Sequence, residues 1–214
     1  MGKSKAHRRV GAYKTRSDIP YAQRLQMQLQ QDININREHA AKITMFCMSI
    51  SLNKLYGIGY KRLIRFANIF KRINDEFYAD VDLGAAHAKH RLNQLGMPIS
   101  KALDMPNRKG RKEQIIDNRA NAVQIALVCG TIAMNDAFGF GKEKLTKVLE
   151  KVSDLNVRYS SEGETFLLEE MQRIGFIIVG TSAICCTDEN DNPVTAKRAI
   201  EEGYLDAYLK AEVL

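Results

Sequence analysis

Two short glycine-containing segments have the residue types that a phosphate-binding turn needs. Gly57-Ile58-Gly59 and Gly139-Phe140-Gly141 are each followed at once by basic residues. Glycine lets the backbone approach an anion closely, and exposed amides at the start of a helix, together with the helix dipole, favour negative charge. The same segments could instead be helix corners in which the second glycine serves only packing, and the sequence leaves both interpretations open.

A second concentration of positive charge lies at the start of the chain. The formal net charge of the 214 residues is +7, and the first 24 residues hold seven cations and one acid, so the rest of the chain is close to neutral. Such a cationic arm is typical of proteins that contact phosphates, although a solvated terminus has the same composition. The predicted phosphate contacts of the arm are Lys3, Lys5, Arg8, Arg9, Lys14 and Arg16.

The two turns belong to similar segments that are 82 residues apart. Between Asn36–Leu63 and Asn118–Leu145, ten of 28 positions are identical without a gap. After a three-residue slip, Leu95–Met97 matches Ile174–Phe176. The sequence therefore predicts an internal duplication with units of about 60 residues. The identical pairs are Asn36/Asn118, Arg37/Arg119, Ala40/Ala122, Ile43/Ile125, Cys47/Cys129, Ile50/Ile132, Asn53/Asn135, Gly57/Gly139, Gly59/Gly141 and Leu63/Leu145.

Helices on both sides must position each turn. Apolar residues recur at steps of four and three before the turn, as in Ile43, Cys47 and Ile50, which predicts a largely buried central helix in each unit. Asn36 and Asn118 are predicted to cap the starts of these helices. Gly57 and Gly139 are predicted to end them in the left-handed conformation. A second helix follows over residues 60–74, and a third covers 83–95 in the first unit and 165–174 in the second.

Outside the units, the chain predicts four further features. A Gln-rich amphipathic helix follows the arm, a basic linker joins the units, 176–179 and 183–186 form a short β-hairpin, and a last helix covers about 192–210. The predicted fold is mainly α, with two tandem three-helix units that each contain a Gly-x-Gly turn. The predicted divisions are 1–35 for the arm and Gln-rich helix, 36–100 for the first repeat, 101–117 for the linker, 118–180 for the second repeat and 181–214 for the C-terminal hairpin and helix.

Each turn resembles the helix-hairpin-helix family, in which Gly-hydrophobic-Gly joins two helices and a basic residue follows. The resemblance covers about twenty residues per unit and implies binding of DNA phosphates by the turn amides, without regard to base sequence. The chain departs from the family at Leu63 and Leu145, where a small residue normally lets the helices cross closely. The implied contacts, with the basic residues that follow on the same helix faces, are Gly57, Gly59, Lys61, Arg62, Arg65, Gly139, Gly141, Lys142, Lys144 and Lys147.

Patterns for catalysis, metals and membranes do not occur in the sequence. P-loop, zinc-protease and nucleophile-elbow motifs are missing, and the four cysteines lack metal-ligand spacing. Cys47 and Cys129 fall in apolar helical stretches and are interpreted as core residues. The start of the chain lacks the apolar region of a secretory signal. We therefore expect a cytoplasmic, non-enzymatic protein without cofactor or metal.

The sequence leaves three interpretations of function open. A small basic protein with a duplicated helical unit loosely resembles phage and mobile-element proteins of Gram-positive bacteria, which include DNA-binding regulators and anti-CRISPR inhibitors. The first hypothesis is a sequence-tolerant DNA-binding protein, with duplex DNA favoured over single strands. The alternative is an inhibitor of a host nuclease or ribonucleoprotein, which would act in the cytoplasm of the bacterial host. A purely structural helical scaffold is the third interpretation.

Overall fold

The protein is mainly helical in the computed structural model, which describes residues 20–98, 111–180, 182–184, 186–188 and 193–203. This confirms that the fold is mainly α, as predicted. Six helices form the body and follow the chain in two groups of three, which we call the first and the second group. They are α1 (Tyr21–Tyr56), α2 (Tyr60–Ala79) and α3 (Val81–Gln94), then α4 (Arg111–Phe138), α5 (Lys142–Glu162) and α6 (Glu164–Ile174).

Helices α1 and α4 form the centre of the bundle and run parallel to each other. Towards the start of both helices, Arg37 donates a hydrogen bond to Asn118. At their other end, the ring of Tyr56 packs edge-on against Phe140, with centroids 4.9 Å apart. Apolar side chains cover both helices on most sides, so both helices lie in the core together with buried residues of α2, α5 and α6. The buried residues there include Ile43, Phe46, Met48, Ile50, Leu52, Ile125, Ala126, Ile132, Ala133 and Met134.

The second helix of each group packs chiefly on the central helix of the other group. Helix α2 runs antiparallel to α4, since Phe66 contacts Phe138 near the end of α4 and Phe70 lies beside Gly130 further back. Helix α5 likewise runs back along α1, where Tyr159 contacts His39. The two groups are therefore intertwined and share one core.

The predicted helix starts at Asn36 and Asn118 are wrong. Helix α1 continues through Asn36, whose side-chain amide donates to the carbonyl of Asp32 at 2.7 Å, and α4 already begins at Arg111. For Asn36, burial of the helix already begins upstream, at Ile33. The division predicted at residue 36 thus falls inside a helix, and residues 111–117 of the predicted linker are helical.

The C-terminal part forms a small module of short strands beside the bundle. The predicted hairpin is present, with β1 (Ile177–Val179) antiparallel to β2 (Ser182–Ile184). A second antiparallel pair, β3 (Cys186–Thr187) and β4 (Pro193–Val194), was not predicted. The last helix, α7 (Ala196–Glu201), begins later than predicted because Pro193 lies in a strand rather than at a helix start. It ends at Glu201, and residues 204–210 of the predicted helix lie outside the described residues. In the part of the chain that the structure describes, no helix is both long and apolar enough to cross a bilayer.

Candidate nucleic-acid interface

The first glycine of each turn ends a central helix in the left-handed conformation. Gly57 has φ +60° and Gly139 has φ +65°, a region in which other residues are strained. Their amides donate to the carbonyls of Asn53 and Asn135, at 2.8 and 2.7 Å. The Asn53 side-chain amide also donates to the carbonyl of Ile58, and that of Asn135 does the same for Phe140. Each turn is thus fixed by the end of its own helix.

The second glycine of each turn has a conformation that any residue can adopt. Gly59 has φ −81° and ψ 172°, and Gly141 has φ −83° and ψ 178°. A Cβ added at either position would meet no atom within 4 Å. The fold therefore does not require glycine at these two positions. What glycine provides here is a backbone without a side chain at the starts of α2 and α5, where the helix dipole is positive.

The two turns lie side by side, because α1 and α4 are parallel and end at the same level. The guanidinium of Arg62 lies 5.3 Å from the ring centroid of Phe138. In the reciprocal contact, the ammonium of Lys144 lies 5.9 Å from the centroid of Tyr56 and 5.2 Å from that of Phe140. The hydroxyl of Tyr56 also donates to the carbonyl of Lys144 at 3.4 Å. A cation of each group thus holds the turn of the other group. We call this end of the bundle, from both turns to the first turns of α2 and α5, the turn face.

The predicted contact residues of the turns are all solvent exposed. They differ in how far their charge is balanced by neighbouring acids. The ammonium of Lys147 lies 2.7 Å from the carboxylate of Glu143. This hydrogen bond lowers the pKa of Glu143 and raises the pKa of Lys147. The first turn of α2 contains no acidic residue, whereas that of α5 contains Glu143. The net positive charge is therefore greater beside the Gly57–Gly59 turn than beside the Gly139–Gly141 turn.

The cationic arm joins the bundle far from the turn face. Its predicted contacts, Lys3, Lys5, Arg8, Arg9, Lys14 and Arg16, lie outside the described residues. The described chain starts at Pro20, and α1 then runs for 36 residues before the first turn. At 1.5 Å per residue this helix is about 54 Å long. The structure thus brings the two turns together and separates them from the point where the arm attaches.

Sequence reasoning missed the aromatic residues that join the turns. Tyr56 and Phe138 occupy corresponding positions 82 residues apart, and this shared aromatic character was the available signal. Leu63 and Leu145, which depart from the helix-hairpin-helix pattern, are fully buried. Their size suits helices that pack on the opposite group rather than closely across their own turn.

Two reactive side chains, the thiols of Cys47 and Cys129, lie in the core rather than at the turn face. Cys47 and Cys129 are buried, as predicted, and burial raises the pKa of each thiol to about 12. Among the described residues, no group of three His, Cys, Asp or Glu side chains could hold a metal ion. Comparisons with protein-family models, curated proteins and solved structures found no match for this chain.

Proposed function

We propose that this protein binds the phosphate backbone of duplex DNA through the turn face, without catalysing a reaction. One observation carries the proposal: at Gly59 and Gly141 the backbone is extended and an added Cβ would meet no atom, yet both positions hold glycine. Glycine in ordinary backbone destabilises a folded chain slightly, because it has more freedom to lose on folding. A ligand that approaches the backbone closely would explain its presence at both turns.

We also propose that the two groups of helices are copies of one unit with a Gly-x-Gly turn in each. Contacts between positions that correspond at the 82-residue offset support this. Arg62 lies over Phe138, and the corresponding Lys144 lies over Tyr56. Two equivalent turns on one face would offer two similar anion sites to one ligand.

The chemistry of the turn face suits phosphate rather than a base edge. The first amides of α2 and α5, the helix dipoles and the neighbouring cations all attract an anion without reading sequence. Lys61 and Lys142 follow the second glycines closely and are exposed. Each phosphate that such a cation neutralises releases counterions, so binding must weaken as salt rises, by about 0.9 log units per log unit of salt.

The test is anisotropy of a labelled duplex over a range of salt concentrations, with the variant Gly59→Ser/Gly141→Ser. Serine at a helix start caps the first amides with its own hydroxyl and stabilises the helix. We therefore expect unchanged or higher thermal stability together with weaker binding. Lys61→Met should also lower the salt slope by about one, whereas Lys71→Met, a matched cation further along α2, should leave it unchanged. Salt-independent binding, or full affinity in the serine variant, would overturn the proposal.

A further inference from the structure

Where α1 faces α4, a large side chain of one helix packs against a glycine of the other. The side chain of Met48 is fully buried and packs over Gly130, where an added Cβ would overlap the methionine sulfur. Glycine is unfavourable in the middle of a helix, so the close approach of Met48 accounts for it. Met48 and Gly130 are counterparts at the 82-residue offset. The two central helices thus differ most in size at positions that face each other.

Two ion pairs join the groups, one on either side of this contact. They connect corresponding positions, but the signs of the charges are reversed between them. The ammonium of Lys54 on α1 lies 2.8 Å from the carboxylate of Glu170 on α6. On the other side, Arg91 of α3 pairs with Asp136 of α4. Asp136 is the counterpart of Lys54 at the offset of 82, and Glu170 that of Arg91 at the 79 that follows the slip. The same pair of positions is therefore bridged twice, with opposite polarity.

If a group paired with the same group of another chain, both the side-chain packing and the charge pairing at the interface would be unfavourable. Two first groups would bring Met48 against Met48 and Lys54 against Arg91. Two second groups would bring Gly130 against Gly130 and Asp136 against Glu170. The first case overfills the core, the second leaves a void, and both place like charges together, each of which is destabilising.

We infer that the interface between the two groups accepts only the unlike group, and excludes the same group of a second chain. Specificity of this kind comes from penalties on the wrong partner as much as from contacts with the right one. The inference rests on the proposed duplication and is independent of DNA binding. Its consequence is that two chains cannot associate by pairing like groups, although two nearly equivalent halves would otherwise allow this.

The first experiment reverses the polarity of one bridge. Both ion pairs can still form, but charge no longer distinguishes the unlike group from the like group. Arg91→Glu/Asp136→Lys gives the two groups the same charge pattern, and Lys54 with Glu170 is untouched. Arg91→Glu alone should lower the melting temperature by about 2–4 °C, and the double variant should restore it. A double variant no more stable than Arg91→Glu would overturn the role of the bridges.

The second experiment removes the size selection as well. Met48→Ala/Gly130→Ala, added to the charge variant, makes the two groups equal at all six positions. After refolding at high protein concentration, we expect a dimer by light scattering for this variant and a monomer for the natural chain. Arg91→Lys/Asp136→Glu, which preserves the charges, is the control and should remain monomeric. If the combined variant folds but stays monomeric at every concentration, or if the natural chain dimerises equally, the inference is wrong.

If the combined variant does not fold, Arg91→Glu/Asp136→Lys alone still tests whether charge prevents like groups from pairing. It leaves the core unchanged, and it should give a larger dimer fraction than the natural chain at the same concentration. Equal fractions in these two proteins would contradict selection by charge. Because no DNA is present in these experiments, their outcome is separate from that of the binding test.

Discussion

The two turns have the same backbone and different electrostatics. The φ and ψ angles of Gly59 and Gly141 agree within a few degrees, and both turns are fixed by an asparagine side chain at corresponding positions. The second turn is followed by Glu143, whose carboxylate pairs with Lys147 and adds negative charge near the start of α5. Packing therefore constrains the backbone of both turns equally, whereas solvent-exposed charges are free to differ. We expect the first turn to be the stronger anion site.

The largest effect should come from the left-handed glycines. Gly57→Ala and Gly139→Ala each force a Cβ into a left-handed residue, at a cost of about 1–2 kcal/mol of unfolding free energy. Urea denaturation should show similar losses at both turns. Gly59→Ser, two residues away in ordinary backbone and at a helix start that serine can cap, is the matched control and should lose much less. Equal losses at Gly57 and Gly59 would mean that positive φ is not what the first glycine provides.

Charge reversal should lower duplex affinity more at the first Gly-x-Gly turn than at the second. Lys61→Glu places an acid at a helix start that has none, and we expect duplex affinity to fall at least about tenfold, consistent with the strength of a phosphate contact. Lys142→Glu acts beside Glu143, where positive charge is already partly balanced, so the loss should be smaller. Anisotropy at one fixed salt concentration measures both. The reverse order would contradict the ranking of the two turns.

Removing the negative charge of Glu143 should reduce the difference in duplex binding between the two turns. Glu143→Gln is expected to raise duplex affinity a few-fold, since an acid near a bound phosphate repels it, whereas Glu150→Gln further along α5 is the control. Lys147 lowers the pKa of Glu143, so the natural carboxylate stays charged down to lower pH than usual. The affinity advantage of the variant should therefore persist at about pH 5 and be lost only as the pH falls below the ordinary carboxyl pKa. An advantage that is lost already near neutral pH would exclude Glu143 as its cause.

The smallest effect concerns the contacts that join the turns. Arg62→Met and Lys144→Met each remove a cation from an aromatic ring of the other group, and at an exposed site this is worth about 0.5 kcal/mol. Lys144 contacts two rings and Arg62 one, so the loss should be larger for Lys144. Thermal denaturation of the two single variants is sufficient to compare them.

The sequence was informative wherever the cause of a structure is local. Apolar steps of three and four residues indicated the central helices, and Gly57 and Gly139 were interpreted as helix ends from the conformation that only glycine adopts freely. Asn36 shows the limit of such signals, because its capping preference is weak beside the burial of Ile33 one turn earlier. Pro193 was taken for a helix start, and a strand pair of only two residues each left no periodicity to detect.

Contacts between the groups could not be read from the sequence. Periodicity shows which face of α2 is apolar, yet it does not tell that this face packs on α4 rather than on α1. The bridges of Lys54 and Arg91 were hidden for a different reason, since comparison of the two segments looks for similarity and these positions have opposite charges. The position of the arm likewise depended on α1 being one uninterrupted helix, which the interpretation of Asn36 as a cap had divided.

The exchange of second helices between the groups has a consequence for a cleaved chain. Because α2 packs on α4 and α5 packs on α1, a single cut between residues 98 and 111 would not release a folded half. The two fragments would stay associated through the whole shared core and should elute together under native conditions. Separated fragments, each lacking the surface on which its second helix rests, should regain helicity only when mixed, as in complementation of a split protein.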